Sequence, residues 1–161
     1  RGNVYHLLNQ INSGAFAIIG NGKNKKSMAY VENLAAFLVQ CIESDEKYAV
    51  YNYVDTPDFT MNELVSLVRG KLHGSSSVGI RIPKFIGLMA GYTADVIAKL
   101  GVKLPISSIR VKKFCASSEF SSAKADLGGF EAPYTLRDGL YRTLEAEFIN
   151  PEPDRQIFYT E

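Results

Sequence analysis

The chain has 161 residues, a formal net charge of +1 and 46% hydrophobic residues. A chain of this size can bury ~70% of its unfolded surface, so it needs neither disulfide nor metal to fold. The balanced charge excludes a strongly basic nucleic-acid-binding domain, and any positive charge used in binding has to be local.

Two cysteines, Cys41 and Cys115, lie in apolar surroundings at helical spacing. With no Cys-x-x-Cys pair and no His/Cys cluster, they read as buried free thiols of a cytosolic protein. No apolar run approaches the ~20 residues of a membrane span, and no signal peptide is visible. A cytoplasmic location is expected, with neither membrane nor nucleic acid as a partner. The chain opens at Arg1 directly in helical pattern, as a piece cut from a longer protein would.

In chain order, Val4, Leu7, Leu8 and Ile11 form a helical stripe over residues 3–13, closed by Gly14. Phe16–Ile19 is a short strand and Ser27–Val31 a second. Glu32–Ser44 is an amphipathic helix. Tyr48–Val54, dense in Tyr and Val, reads as a well-buried strand of a parallel sheet. Asp55 and Asp58 are turn residues, and Thr60-Met-Asn-Glu63 is a capping box for a helix reaching about Leu72. Val78–Ile82 is a short strand. Pro83 opens a long helix, Lys84–Leu100, which Gly101 closes. Pro105–Phe114 is helical, Ser118–Phe120 a short strand and Ser121–Leu127 a helical turn. Thr135 nucleates a last helix to about Phe148, and the prolines after Asn150 stop it. Strands alternating with helices indicate an α/β domain, α+β in isolation, over residues 1–149, with a tail at 150–161.

No Gly-x-Gly-x-x-Gly follows a strand, no P-loop is present, and neither His6 nor His73 sits in a catalytic set. The informative segment is the loop Gly20–Ser27, which holds two glycines, two asparagines and three lysines. Backbone amides released by Gly20 and Gly22, with Lys23, Lys25 and Lys26, suit a diphosphate; a solvated connection between strands fits the same composition. Asn3 either caps the first helix or leaves its amino-terminal amides facing an anion. Arg110, Lys112 and Lys113 form either a phosphate site or a basic solvated helix face.

Five segments in order carry a resemblance: Gly-Asn-Val-Tyr-His-Leu-Leu-Asn-Gln-Ile (2–11), Ile-Ile-Gly-Asn-Gly (18–22), Met-Ala-Tyr-Val-Glu-Asn-Leu-Ala (28–35), Tyr-Asn-Tyr-Val-Asp (51–55) with Thr60–Leu64, and Lys124–Phe130 with Thr135–Leu140. Over residues 2–148 the chain resembles the carboxyl-terminal part of an extended short-chain dehydrogenase/reductase, of the NAD-dependent epimerase/dehydratase type acting on nucleoside-diphosphate sugars. The resemblance implies a substrate-binding lobe joined to the last strand and helices of a Rossmann sheet. The amino-terminal part, with its glycine-rich NAD(P) site and Tyr-x-x-x-Lys pair, is missing from this sequence.

The resemblance implies that Asn3 contacts the diphosphate of a UDP- or dTDP-sugar and that Phe16, Ile18 and Ile19 border the base. Lys26 stands where many members have an arginine to the diphosphate, and Asn33 where they have an aspartate. Arg110 resembles a second arginine to the diphosphate. The implied reaction is hydride transfer from a sugar carbon to NAD or NADP, followed by return or elimination. The cofactor and the catalytic residues would lie outside this chain, which would be inactive alone. The changes at Lys26 and Asn33 leave open a non-enzymatic binding or regulatory relative. The strand Tyr48–Val54, lacking its sheet, is expected to pair with a second copy as a homodimer or to be covered by the chain's own helices.

Overall fold

Helix boundaries in this protein follow the caps that the sequence supplies. The computed structural model describes residues 2–44, 48–102, 104, 106–122 and 129–153. The fold is mixed α/β, with six α-helices and a few short strands among the described residues. In chain order these are α1 (Asn3–Asn12), β1 (Ala17–Ile19), β2 (Lys25–Lys26), α2 (Val31–Ile42), β3 (Phe59–Thr60), α3 (Met61–His73), β4 (Ile80–Ile82), α4 (Lys84–Lys99), α5 (Ser108–Cys115) and α6 (Leu136–Leu144), followed by a π-helical turn, Glu145–Ile149. They form two compact units. The first holds the chain up to Lys25 and Thr60–Ser117; the second holds Lys26–Phe59 and the chain from Ser118.

In the first unit α1 buries Leu8 and Ile11 and packs against α3, whose inner face is Met61, Leu64, Val65 and Val68. Each such side chain contributes roughly 1.5–3 kcal/mol by leaving water. The capping box that opens α3 forms as expected. The Thr60 hydroxyl accepts from the Glu63 amide at 3.2 Å, and the Glu63 carboxylate accepts from the Thr60 amide at 2.8 Å. Gly74 ends α3 in the left-handed region that only glycine enters freely. β1 and β4 pair in parallel, Ala17 with Ile80, Ile18 with Arg81 and Ile19 with Ile82. Helix α5 runs beside β1, with the Phe16 and Phe114 rings 5.8 Å apart.

The second unit is organised around a buried carboxylate. Asp55 is 4% exposed and accepts three hydrogen bonds: from the Tyr30 amide at the start of α2 (2.7 Å), from Asn33 Nδ2 (2.9 Å) and from the Tyr53 hydroxyl (2.8 Å). A buried carboxylate is tolerated only with such donors around it, and the amino terminus of α2 adds a favourable dipole. Asn33, 0% exposed, also donates to the Tyr134 carbonyl and accepts from the Tyr134 amide. Its Nδ2 therefore faces two acceptors and its Oδ1 a donor, which fixes the amide's orientation. Phe37, Tyr51, Tyr53 and Phe130 pack beside this network, and α6 lays Gly139 directly on the Tyr30 ring.

Several sequence expectations are corrected. Tyr48–Val54 pairs with no strand among the described residues; Tyr51 and Tyr53 pack on Phe37 of α2, whereas Tyr48 and Val50 are exposed rather than buried. A strand needs a hydrogen-bonding neighbour, and side-chain pattern alone supplies none. The second strand is Lys25–Lys26, not Ser27–Val31. Residue 27 instead orders the chain by its side chain, whose Oγ donates to Asp58 and accepts from the Phe120 amide. At Ser118–Phe120 the structure has a single parallel bridge, Lys26 with Ser118. Gly2, not Asn3, is the N-cap of α1. Helix α5 begins at Ser108 because the Ser107 hydroxyl accepts from the Arg110 amide. The chain does bend after Asp55, at Thr56-Pro57, but its carboxylate is buried and forms the centre of the second unit. Cys41 and Cys115 are free but half-buried. The expected turn at Ser121–Leu127 falls mostly outside the described residues, as does much of the tail.

Asn33→Asp would set a second carboxylate against Asp55 in a fully buried site. We expect a loss of about 3 kcal/mol at neutral pH by chemical denaturation. Protonation relieves the clash in the folded state, raising a folded-state pKa, so the deficit should shrink as pH falls from neutral through that raised pKa and be gone below about 4, the unfolded value. A deficit independent of pH would refute the charge argument.

Candidate functional site

A parallel strand pair brings its carboxyl ends side by side, and in open α/β sheets ligands gather at such ends. In the first unit this corner consists of the loop after β1, beginning at Gly20, and the start of α4 after Pro83. The two are in contact: a Cβ on Gly20 would lie 3.9 Å from Lys84 Cβ. The Gly20 amide donates to the Ile82 carbonyl at 2.8 Å, so that amide is already engaged by β4.

Asn62 and Arg81 clamp the rest of the loop. Arg81 donates through Nη1 to the Asn21 carbonyl and through Nη2 to Asn62 Oδ1, each at 3.0 Å. Asn62 Nδ2 donates to the same Asn21 carbonyl at 2.9 Å, and the Asn62 amide donates to the Gly22 carbonyl at 3.0 Å. Gly22 has φ +65 and lies directly against the Asn62 side chain, so any Cβ there would collide with it. Farther along, Asn24 donates to the Phe114 carbonyl, the Met61 amide donates to the Asn24 carbonyl, and the Lys25 amide donates to the Ser117 hydroxyl. Lys23, Lys25 and Lys84 are exposed on this framework. The corner is thus a rigid, basic edge, built by carbonyls facing inward rather than by a nest of free amides.

The sequence-predicted residues distribute as follows. Asn3 is exposed in the first turn of α1. Phe16 is half-buried against Phe114 on α5, the helix that also carries the exposed Arg110. Ile18 is wholly buried, so its side chain supports the strand from the core side. Ile19 packs on Gly87 of α4, and its carbonyl accepts from the Cys115 thiol at 3.5 Å. These five belong to the first unit. Lys26 belongs to the second, where its Nζ lies 3.4 Å from the Ser118 hydroxyl. Asn62 and Arg81 escaped the sequence reading. The signal was present in Ile80-Arg81-Ile82, a charge between two apolar strand residues.

In the second unit a cavity of about 270 Å³ opens beside the Asp55 network, lined by Tyr53, Asp55, Thr56, Phe130 and Tyr134 among others. Burial, then the hydrogen bond and charge of Asp55, push the Tyr53 hydroxyl well above the ordinary tyrosine range. Tyr53 therefore stays a neutral donor at physiological pH and is unsuited to act there as a base. Among the described residues no group of three or more His, Cys, Asp or Glu side chains is placed to hold a metal ion.

Gly22→Ala should destabilise the protein by about 2 kcal/mol or more, from strain at positive φ and collision with Asn62. Arg81→Lys should fail to rescue Arg81→Ala, because an ammonium cannot bond both acceptors as the guanidinium fork does. Amide exchange at residues 21–25 is the readout for both. Tyr53→Phe should lose roughly 1.5–3 kcal/mol at neutral pH, the range for a hydrogen bond to a charged acceptor. A raised folded-state pKa makes that contribution complete below about pH 10 and lost as pH rises further. The wild type should then lose stability faster than Tyr53→Phe in alkaline denaturation series.

No family model matches the chain. It is 45% identical over 163 aligned positions to the N-acetyl-alpha-D-glucosaminyl-diphospho-ditrans,octacis-undecaprenol 4-epimerase of Escherichia coli O157:H7, a match covering 100% of this chain and 49% of that protein. It is 26% identical over 144 positions to an uncharacterised protein of Sinorhizobium fredii, covering 84% of this chain and 40% of that protein. The chain spans about half the length or less of these curated relatives. Across its whole length, then, this protein is similar to part of an epimerase.

Proposed function

We propose that this chain is the sugar-diphosphate-binding half of a 4-epimerase, and that its substrate is an N-acetylhexosamine joined through a diphosphate to a polyprenol. The observation that carries this reading is the 45% identity, over 100% of the chain, to an epimerase whose named substrate has that construction. It departs from the sequence-based expectation of a UDP- or dTDP-sugar. Both substrate types share the sugar and the diphosphate and differ in the group beyond. The rigid basic corner after β1 suits the shared part. Following the resemblance, Asn3 and Arg110 of the first unit are assigned to the diphosphate and Phe16 and Ile19 to the border of the group beyond it; Lys26, in the second unit, is by the same resemblance a separate candidate for a phosphate contact.

By the resemblance, an epimerase of this type would use NAD or NADP. The residues of this chain do not fit that group: the loop after β1 leads into β2 rather than a helix, and its Gly20 amide is bonded to Ile82. Cofactor binding and the oxidation–reduction chemistry are assigned to the remainder of the protein. What this half contributes is orientation of the sugar and neutralisation of the diphosphate. Asn33 does not argue for a non-enzymatic relative, because its partners Asp55 and Tyr134 explain it as a structural amide.

The test is turnover by the full-length protein of N-acetylglucosaminyl-diphospho-undecaprenol in detergent, set beside UDP-N-acetylglucosamine. Conversion of the lipid-linked sugar with a higher kcat/KM is expected. Arg110→Ala and Lys26→Ala should each raise KM roughly tenfold or more, as loss of a charge-assisted phosphate contact does, with a smaller effect on kcat. Preference for the nucleotide sugar would restore the earlier substrate class. Absence of turnover on both would favour the binding or regulatory relative.

A further inference from the structure

Helix α4 is built inside out for a helix of a water-soluble protein. Such helices turn their large apolar residues inward. Here the inward face carries Gly87, Gly91 and Ala94, all buried. Gly91 lets the backbones meet, since a Cβ there would lie 2.8 Å from Ser108 Cα on α5. The large residues face out: Phe85 is 64% exposed, Met89 65%, Val96 60% and Leu100 80%, with Tyr92 also exposed between them. Their spacing of four, three, four and four places all five on one stripe. Ile109 of α5 is exposed as well.

Charge indicates what covers this stripe. Residues 84–118 contain Lys84, Lys99, Lys103, Arg110, Lys112 and Lys113 but a single acid, Asp95, in a protein of net charge +1. Asp95 is turned onto the Ser108 amide at the start of α5. Lys84, Lys99, Lys112 and Lys113 are exposed, and Lys112 sits 5.3 Å from the centre of the Tyr92 ring. The second unit also exposes apolar residues, along α2 and at Tyr48 and Val50, but the neighbouring sequence is acidic: Glu32, Glu43, Asp45 and Glu46 against Lys47. That face suits a protein neighbour such as the missing strands of a sheet. The α4 stripe, apolar with a basic rim, has the make-up of a helix lying in a membrane interface. No helix among the described residues is long and apolar enough to cross a membrane.

We propose that the outward stripe of α4, with the lysines that flank it, seats the protein on an anionic phospholipid bilayer. The proposal deepens the reading of a polyprenol-linked substrate and rests on it, since such a substrate resides in a membrane. Long lysine side chains can reach headgroups while the apolar stripe enters the acyl boundary.

The experiment is co-sedimentation of the full-length protein with vesicles of phosphatidylglycerol and phosphatidylcholine, compared with phosphatidylcholine alone. Binding to the anionic vesicles that weakens with salt is expected. The triple variant Phe85→Glu, Met89→Glu, Val96→Glu should reduce it by about tenfold or more, as burial of the apolar face scales binding. Lys112→Glu with Lys113→Glu should remove the preference for anionic lipid, and serves as the readout should the triple variant fail to fold by circular dichroism. A protein that stays in the supernatant with every vesicle overturns the proposal. So does a triple variant that sediments like the wild type, or one that only converts a dimer to a monomer, which would assign the stripe to a second copy. Turnover of the detergent-solubilised substrate reports the substrate reading separately. Turnover without vesicle binding defeats the surface alone; vesicle binding without turnover defeats the substrate reading alone.

Discussion

A carboxylate taken out of water must be given its hydrogen bonds back, and the second unit of this protein is arranged around that requirement. Asp55 collects the first amide of α2, the Asn33 side chain and the Tyr53 hydroxyl. Asn33 passes the connection on to both backbone groups of Tyr134, just ahead of α6. Segments distant in sequence are thereby fixed by three residues, and the aromatic packing of Phe37, Tyr53 and Phe130 follows from where that network puts them. The exposed Arg142–Glu32 pair at 3.8 Å adds little by comparison, as surface ion pairs do.

The first unit solves a different problem, that of stiffening a polar loop. A loop of glycines and asparagines would ordinarily be mobile. Here Arg81 and Asn62 converge on the carbonyls of Asn21 and Gly22, and the parallel pairing of β1 with β4 brings Arg81 to that place. The loop lysines then project from a fixed base, which lowers the entropy cost of ordering them around an anion. Close packing of α4 on β1 through Gly87 and on α5 through Gly91 has the corollary that the bulky residues of α4 have nowhere to go but outward.

Much of the secondary structure was legible in the sequence because its signals are local. The Thr60-x-x-Glu63 box, the Thr135 cap, Pro83 before α4 and the glycines after α1, α3 and α4 each act within a turn of the chain. Tyr48–Val54 was misread because β character is completed only by a neighbour. For Asp55 the composition Asp-Thr-Pro-Asp shows the bend but not the burial of its carboxylate, which is decided by α2 and Tyr134, far from it in sequence. At the candidate site, the basic loop was visible as composition. Its anchoring by Asn62 and Arg81 was not, because two residues 19 positions apart had to meet across a strand pairing.

The sequence by itself determined the α/β class, the helix ends and a local concentration of positive charge in an almost neutral chain, since capping, periodicity and charge depend on residues within a few positions of one another. Only the tertiary structure decided that the Gly20 amide is engaged, that Asn33 belongs to a buried carboxylate and that the large side chains of α4 face solvent. Those outcomes depend on which surfaces meet: the face a helix buries is set by the closest approach its neighbour allows, and a periodic stripe gives the direction of a face without saying which way it points.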